Sequence, residues 1–156
     1  MSNLPETTQE FNHELDFYSD SYIKYILDKT QHIALVGASD KPHRASFGVM
    51  RFLQDKGFKV TPVSPRLSGK TLLGETVYAT LADIPERPDL VDIFMNSNDA
   101  GSIMDQAIEI KSKFIWLQLE IVNFDAATRA EKNGLKVVMN RCPAIEIPRL
   151  GWERKR

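Results

Sequence analysis

Short apolar runs rich in β-branched and aromatic residues alternate along this chain with stretches of helical spacing, and that alternation leaves few folds open. The runs are residues 32–36, 58–63, 91–95, 114–117 and 135–139. Between them, residues 46–56, 98–111 and 125–133 repeat apolar side chains every three or four positions. Gly57 and Gly134 stand just past two of these helices, where a left-handed cap favours glycine, and Asn98 and Asn123 stand where N-caps belong. The runs are nearly continuous, so both faces of each strand are expected to be buried, as in a parallel sheet covered by helices. Right-handed crossovers then predict a single α/β domain, a doubly wound, mainly parallel sheet with helices on both faces.

Pro62 is a local objection, because proline removes a ladder hydrogen bond; it is placed at the C-terminal end of its strand. Residues 77 and 78 are read as one further short strand. Ahead of the periodic core, residues 1–19 read as an arm whose Phe11, Leu15, Phe17 and Tyr18 dock on this domain or on a second subunit. Deleting them is expected to leave ligand binding nearly intact. A helix capped by Asp20 or Ser21 runs to Lys29, the domain spans 20–151, and 152–156 form a basic tail.

With 20 basic against 21 acidic residues, the chain has no basic field to attract nucleic acid or an anionic membrane. Its single cysteine, Cys142, rules out an internal disulfide, and the polar, acidic N-terminus does not read as a secretory signal. A cytoplasmic location is expected.

In such a sheet ligands bind at the C-terminal strand ends, at the point where strand order reverses. The turn after the first run, Gly37-Ala38-Ser39-Asp40-Lys41, is therefore the first candidate, with Arg44 and the helix start at Ser46 beside it. It lacks the G-x-G-x-x-G spacing of a dinucleotide turn, and the second run ends in Ser64-Pro65-Arg66 without the carboxylate that grips an NAD ribose. NADP fits better, since Arg66 can meet a ribose phosphate. The Gly-Lys-Thr at 69–71 imitates a P-loop, but its first glycine is replaced by Ser64 and no helix opens after it. Asn96 and Gln118, at later strand ends, either hydrogen-bond a ligand or cap neighbouring helices. His13, His32 and His43 are scattered, Asp83, Asp89 and Asp92 flank loops, and no metal-ligand spacing or nucleophile elbow occurs. The sequence offers a site without evident chemistry.

The segments IALVGASDKPHRASFGV, VTPVSPRLSGKTLLGETVYATLADIP, VDIFMNSND, WLQLEIVN and GLKVVMNRCP, in this order, resemble the stand-alone CoA-binding protein family. More distantly, they are similar to the CoA-binding domain of the succinyl-CoA synthetase alpha subunit. The resemblance runs from about Lys29 to Gly151. It implies a Rossmann-like domain that holds coenzyme A across the C-terminal strand ends. Gly37 to Lys41 would form the phosphate turn, Ser64, Pro65 and Arg66 would border the adenosine with Lys70 nearby, and Met95, Asn96 and the Leu117-Gln118-Leu119 edge would line the rest. Family members usually carry arginine where this chain has Met95 and glycine where it has Glu120. The synthetase's phosphohistidine segment has no counterpart, so the resemblance implies binding of CoA or an acyl-CoA rather than thioester synthesis. CoA carries a pyrophosphate and a separate 3′-phosphate, a charge distribution that suits the turn together with Lys41, Arg44, Arg66 and Lys70. The alternatives are an NADP-dependent oxidoreductase-type protein and a ligand-responsive interaction module, with a homodimer or another protein as partner.

Overall fold

A computed structural model describes residues 9–155. Residues 1–8 of the expected arm and Arg156 of the expected tail lie outside it. In chain order the elements are β1 (Phe11–Asn12), β2 (Phe17–Tyr18), α1 (Asp20–Lys29), β3 (His32–Val36), α2 (Ala45–Asp55), β4 (Lys59–Val63), β5 (Thr71–Leu72), β6 (Glu75–Thr76), β7 (Leu90–Ile93), α3 (Ser97–Glu109), β8 (Phe114–Leu117), α4 (Phe124–Lys132), β9 (Lys136–Val138) and α5 (Pro143–Leu150).

Five strands form one parallel sheet in the order β4-β3-β7-β8-β9. The chain starts at β3, steps outward to β4, then returns across β3 to β7, so strand order reverses between β3 and β7. One face packs on α1, α2 and α5 through Ile26, Met50, Leu53, Trp116 and Ile147. The other packs on α3 and α4, where Ala100, Met104, Ala107, Ala126 and Ala130 meet Val91, Ile93 and Ile115. Every residue of β3, β7 and β8 is buried, which is why their sequence runs do not alternate. The fold is the Rossmann-like α/β sheet expected from the sequence. Among the described residues, no helix is long and apolar enough to cross a membrane.

Local chemistry explains where the elements differ from expectation. The first helix is capped by Ser19, whose hydroxyl accepts from the Tyr22 N–H, rather than by Asp20 or Ser21. Asn96, not Asn98, caps α3, accepting from the Asp99 N–H at 2.9 Å. Pro62 lies inside β4, yet β4 is an edge strand and the Pro62 carbonyl points outward to the Tyr78 N–H at 3.1 Å. The proline ring therefore faces away from β3 and no ladder bond is lost. Tyr78 makes an isolated bridge with Val63, and a small hairpin of β5 and β6 precedes it. His32, the first residue of β3, is buried and its Nε2 lies 2.7 Å from Thr61 Oγ1.

The N-terminal hairpin of β1 and β2 lies against the far edge of the sheet. The outward-facing N–H and C=O of Val137 both bond the Tyr22 hydroxyl, at 3.1 and 3.0 Å, and the Met139 N–H donates to the Tyr18 hydroxyl at 3.0 Å. Two phenols thus occupy the place of a sixth strand. Burial raises the pKa of both, that of Tyr18 to about 12. At the other terminus, Trp152 is buried and stacks on Phe58, with the Arg154 guanidinium 4.4 Å from the Phe58 ring centre.

Asp92, expected beside a loop, sits in mid-strand on β7, in register with Leu35 and Trp116, and is fully buried. Neither of its carboxyl oxygens has a hydrogen-bond partner among the described residues, and burial pushes its pKa well above the usual carboxylate range. The unfolded chain ionises there first. The folded state then binds more protons than the unfolded one, and stability falls as pH rises above the unfolded pKa. Asn cannot ionise, so Asp92→Asn should remove this loss and gain on wild type as pH rises from 5 to 8. Urea titrations at pH 5 and pH 8 check it; equal stability of the two proteins at both values would mean the carboxyl is solvated.

Candidate functional site

At the C-terminal ends of the strands a cleft of about 770 Å³ crosses the reversal point. Its floor begins at Gly37, which has φ +90° and lies so close to β7 that a Cβ there would overlap the Phe94 carbonyl oxygen. Glycine is the residue that this approach permits. The Gly37 and Ala38 N–H groups both donate to the Val63 carbonyl, at 3.1 and 3.2 Å, which ties the turn to the end of β4. Ser39 Oγ accepts from the Lys41 N–H at 3.1 Å and closes the next turn.

The helix that follows is the site's main electrostatic feature. Helices α1, α3 and α4 each have a side-chain cap and an aspartate in the first turn. Helix α2 has Arg44 at its N-cap, no side-chain cap bond and no acid in its first turn. The Ser39, Asp40, Ala45 and Ser46 N–H groups make no hydrogen bond among the described residues. Together with Lys41 and Arg44 on the cleft wall, this end of the cleft is built to receive an anion.

Nine of the residues expected at the site line this cleft: Gly37, Ala38, Ser39, Lys41, Arg44, Ser46, Arg66, Met95 and Asn96. The others stand off it. Asp40 is exposed and 3.4 Å from the Arg66 guanidinium, an exposed pair that contributes little. Ser64 is buried, with its hydroxyl accepting from the Leu67 N–H, while Pro65 and Lys70 are exposed beyond the rim. Gln118 is buried behind the lip, with its Oε1 unpaired among the described residues. The Asn96 side chain is engaged as a helix cap, through both its oxygen and its Nδ2 to Asp99. Leu119, expected on the edge with Gln118, joins these nine while Leu117 is buried in β8, and the cleft also takes in Ala45, Phe94, Glu120 and Ile121. Phe94 was missed because it lies inside the apolar run 91–95, and nothing in the run marks that the strand stops at Ile93.

Among the described residues no cluster of His, Cys, Asp or Glu suits a metal ion, and neither histidine nor cysteine lines the cleft. Cys142 is buried just ahead of α5.

A family model described as a CoA binding domain matches residues 31–148. An uncharacterized Bacillus subtilis protein, YneT, is 32% identical over 124 residues, which cover 80% of this chain and 90% of that one. A solved structure of a hypothetical protein from Pyrococcus horikoshii superposes with a TM-score of 0.83 at 36% identity, covering 88% of this chain and 96% of the other. A dinucleotide-forming acetyl-coenzyme A synthetase from Ca. Korarchaeum cryptofilum matches with a TM-score of 0.61 at 25% identity. There, 71% of this chain corresponds to 26% of the synthetase.

Proposed function

Because the chain belongs to the CoA binding domain family, we propose that it binds coenzyme A or an acyl-CoA without transforming it, holding the pyrophosphate at the turn after β3. The observation that carries this reading is the uncapped, acid-free N-terminus of α2, which opens into the cleft between Lys41 and Arg44. Free N–H groups, a helix dipole and two cations converge there on one spot, the environment a pyrophosphate requires. Arg66, at the β4 end of the same cleft, is the partner for the 3′-phosphate and exchanges its weak pairing with Asp40 for it.

Calorimetric titration with CoA, dephospho-CoA, NAD and NADP tests this. CoA should bind tightest, ahead of dephospho-CoA by about tenfold or more, the effect of one charge-assisted contact of roughly 1.5–3 kcal/mol. Arg66→Ala should lose most of that preference and keep its affinity for dephospho-CoA. Tighter binding of NADP than of CoA would replace this reading with the oxidoreductase one, and no binding at millimolar concentration would remove both.

A further inference from the structure

The cleft is electrically asymmetric. Lys41, Arg44 and Arg66 stand at its β3 and β4 end, whereas Glu120, beyond β8, is the only acid among its described lining residues. No ion pair among the described residues includes Glu120. Its backbone is held in the left-handed region, φ +68°, which disfavours a residue with a Cβ.

Two further left-handed residues hold it there. The Glu120 N–H donates to Asn140 Oδ1 at 2.6 Å, and Asn140 has φ +62°. Asn140 Nδ2 donates in turn to Asp16 Oδ2 at 3.2 Å, and Asp16, in the N-terminal hairpin, has φ +54°. The Arg141 guanidinium clamps Asp16 with 2.7 Å bonds to Oδ1 and to the main-chain oxygen. Strain at one residue is ordinary. Three such residues linked in series from the hairpin to the cleft lip fix the backbone from which the Glu120 side chain projects.

This inference rests on the function proposed above, because it takes the ligand's direction from it. With the 3′-phosphate at Arg66 and the pyrophosphate after β3, an extended ligand runs on toward β8. Three strand spacings separate β4 from β8, about 14 Å at about 4.8 Å each. The thiol end then arrives at Leu119, Glu120 and Ile121. We propose that Glu120 is the residue that determines acyl specificity at this end: free CoA and thioesters of neutral acyl groups are admitted, and acyl groups ending in a carboxylate are disfavoured. Leu119 and Ile121 offer apolar surface to a short neutral chain, while the Glu120 carboxylate repels a second one.

The test compares butyryl-CoA with succinyl-CoA, which share a four-carbon acyl skeleton and differ in a terminal carboxylate. Calorimetric titrations use the full chain, with CoA as reference. Wild type should bind succinyl-CoA about three- to tenfold more weakly than butyryl-CoA, the repulsion expected between like charges about 5 Å apart at a solvated lip. Glu120→Gln keeps the backbone bond to Asn140 and should bring the ratio near one. Asn140→Ala retains the carboxylate but releases its backbone, and should lower the ratio part of the way. Equal binding of the two thioesters by wild type, or a ratio that survives in Glu120→Gln, overturns the assignment while leaving CoA binding in place. Failure of CoA and both thioesters to bind overturns the function proposed above and this assignment with it.

Discussion

Replacing Gly37 with alanine is expected to cost about 2–6 kcal/mol of stability and to abolish ligand binding. Two costs combine: a left-handed backbone at a residue carrying a Cβ, about 1–3 kcal/mol, and overpacking, about 1–3 kcal/mol. The new methyl would overlap the Phe94 carbonyl oxygen and approach the Phe94 carbonyl carbon to 3.1 Å. Neither side can retreat easily. The Gly37 N–H is bonded to Val63 and the Phe94 N–H to Val36, so the turn and the end of β7 are both pinned to the sheet. Gly48, inside α2, is the control, because a methyl added there would meet nothing within 4 Å. Gly48→Ala should stabilise by about 0.5–1 kcal/mol through helix propensity alone. Urea denaturation of the two variants, followed by titration with CoA, separates these outcomes. Wild-type stability in Gly37→Ala would mean that the turn yields and that its contact with β7 is dispensable.

Tyr18→Ala should cost about 3–5 kcal/mol, the range for truncating a buried aromatic, against a total stability of about 5–15 kcal/mol. Tyr18 is buried, and its ring stacks 6.0 Å from that of Tyr22. Its hydroxyl accepts from the Met139 N–H and lies 2.7 Å from His13 Nδ1, while His13 Nε2 lies 2.8 Å from Glu131 on α4. The hydroxyl donates to Nδ1 and the opposite ring nitrogen donates to the carboxylate, so each proton has an acceptor. Tyr18→Phe keeps the ring and should lose only the bonding share, about 1–2 kcal/mol. Denaturant titration of both variants distinguishes packing from hydrogen bonding. Removal of residues 1–18 should be at least as damaging to stability as Tyr18→Ala, whereas the sequence reading of residues 1–19 as an arm expected their deletion to leave ligand binding nearly intact. Native-like thermal unfolding of the truncated chain would show that the hairpin is a passenger.

The sheet was legible because burial on both faces leaves a continuous apolar run, a signal that needs no knowledge of neighbours. The helices were legible for the same reason, through their spacing, and their ends through Gly57, Gly134 and Asn123. Short-range patterns carry no such record of long-range contacts. Helix α5 escaped because prolines at 143 and 148 in eight residues read as breaks, although proline in a first turn and glycine at a left-handed cap mark its two ends. Residues 11–18 read as an arm because their hydrogen bonds reach residues more than a hundred positions away, among them Met139 and Arg141. The turn that opens the cleft, Gly37 to Lys41, was legible from its place after the first run. The lip at Leu119, Glu120 and Ile121 gave no comparable local signal in its residue pattern, since its geometry depends on Asn140 and Asp16 across the fold.

The phenols beside β9 also bear on what this molecule does in a crowd. A terminal strand with free outward N–H and C=O groups is a template on which another chain can grow. Here the Leu135 N–H is taken by Ala130, both polar groups of Val137 by Tyr22, and the Met139 N–H by Tyr18. The N–H groups on that side are all taken, so an incoming strand finds no free donor there. Loss of the hairpin would reopen the Met139 position and with it a starting point for polymerisation, whatever its effect on the ligand.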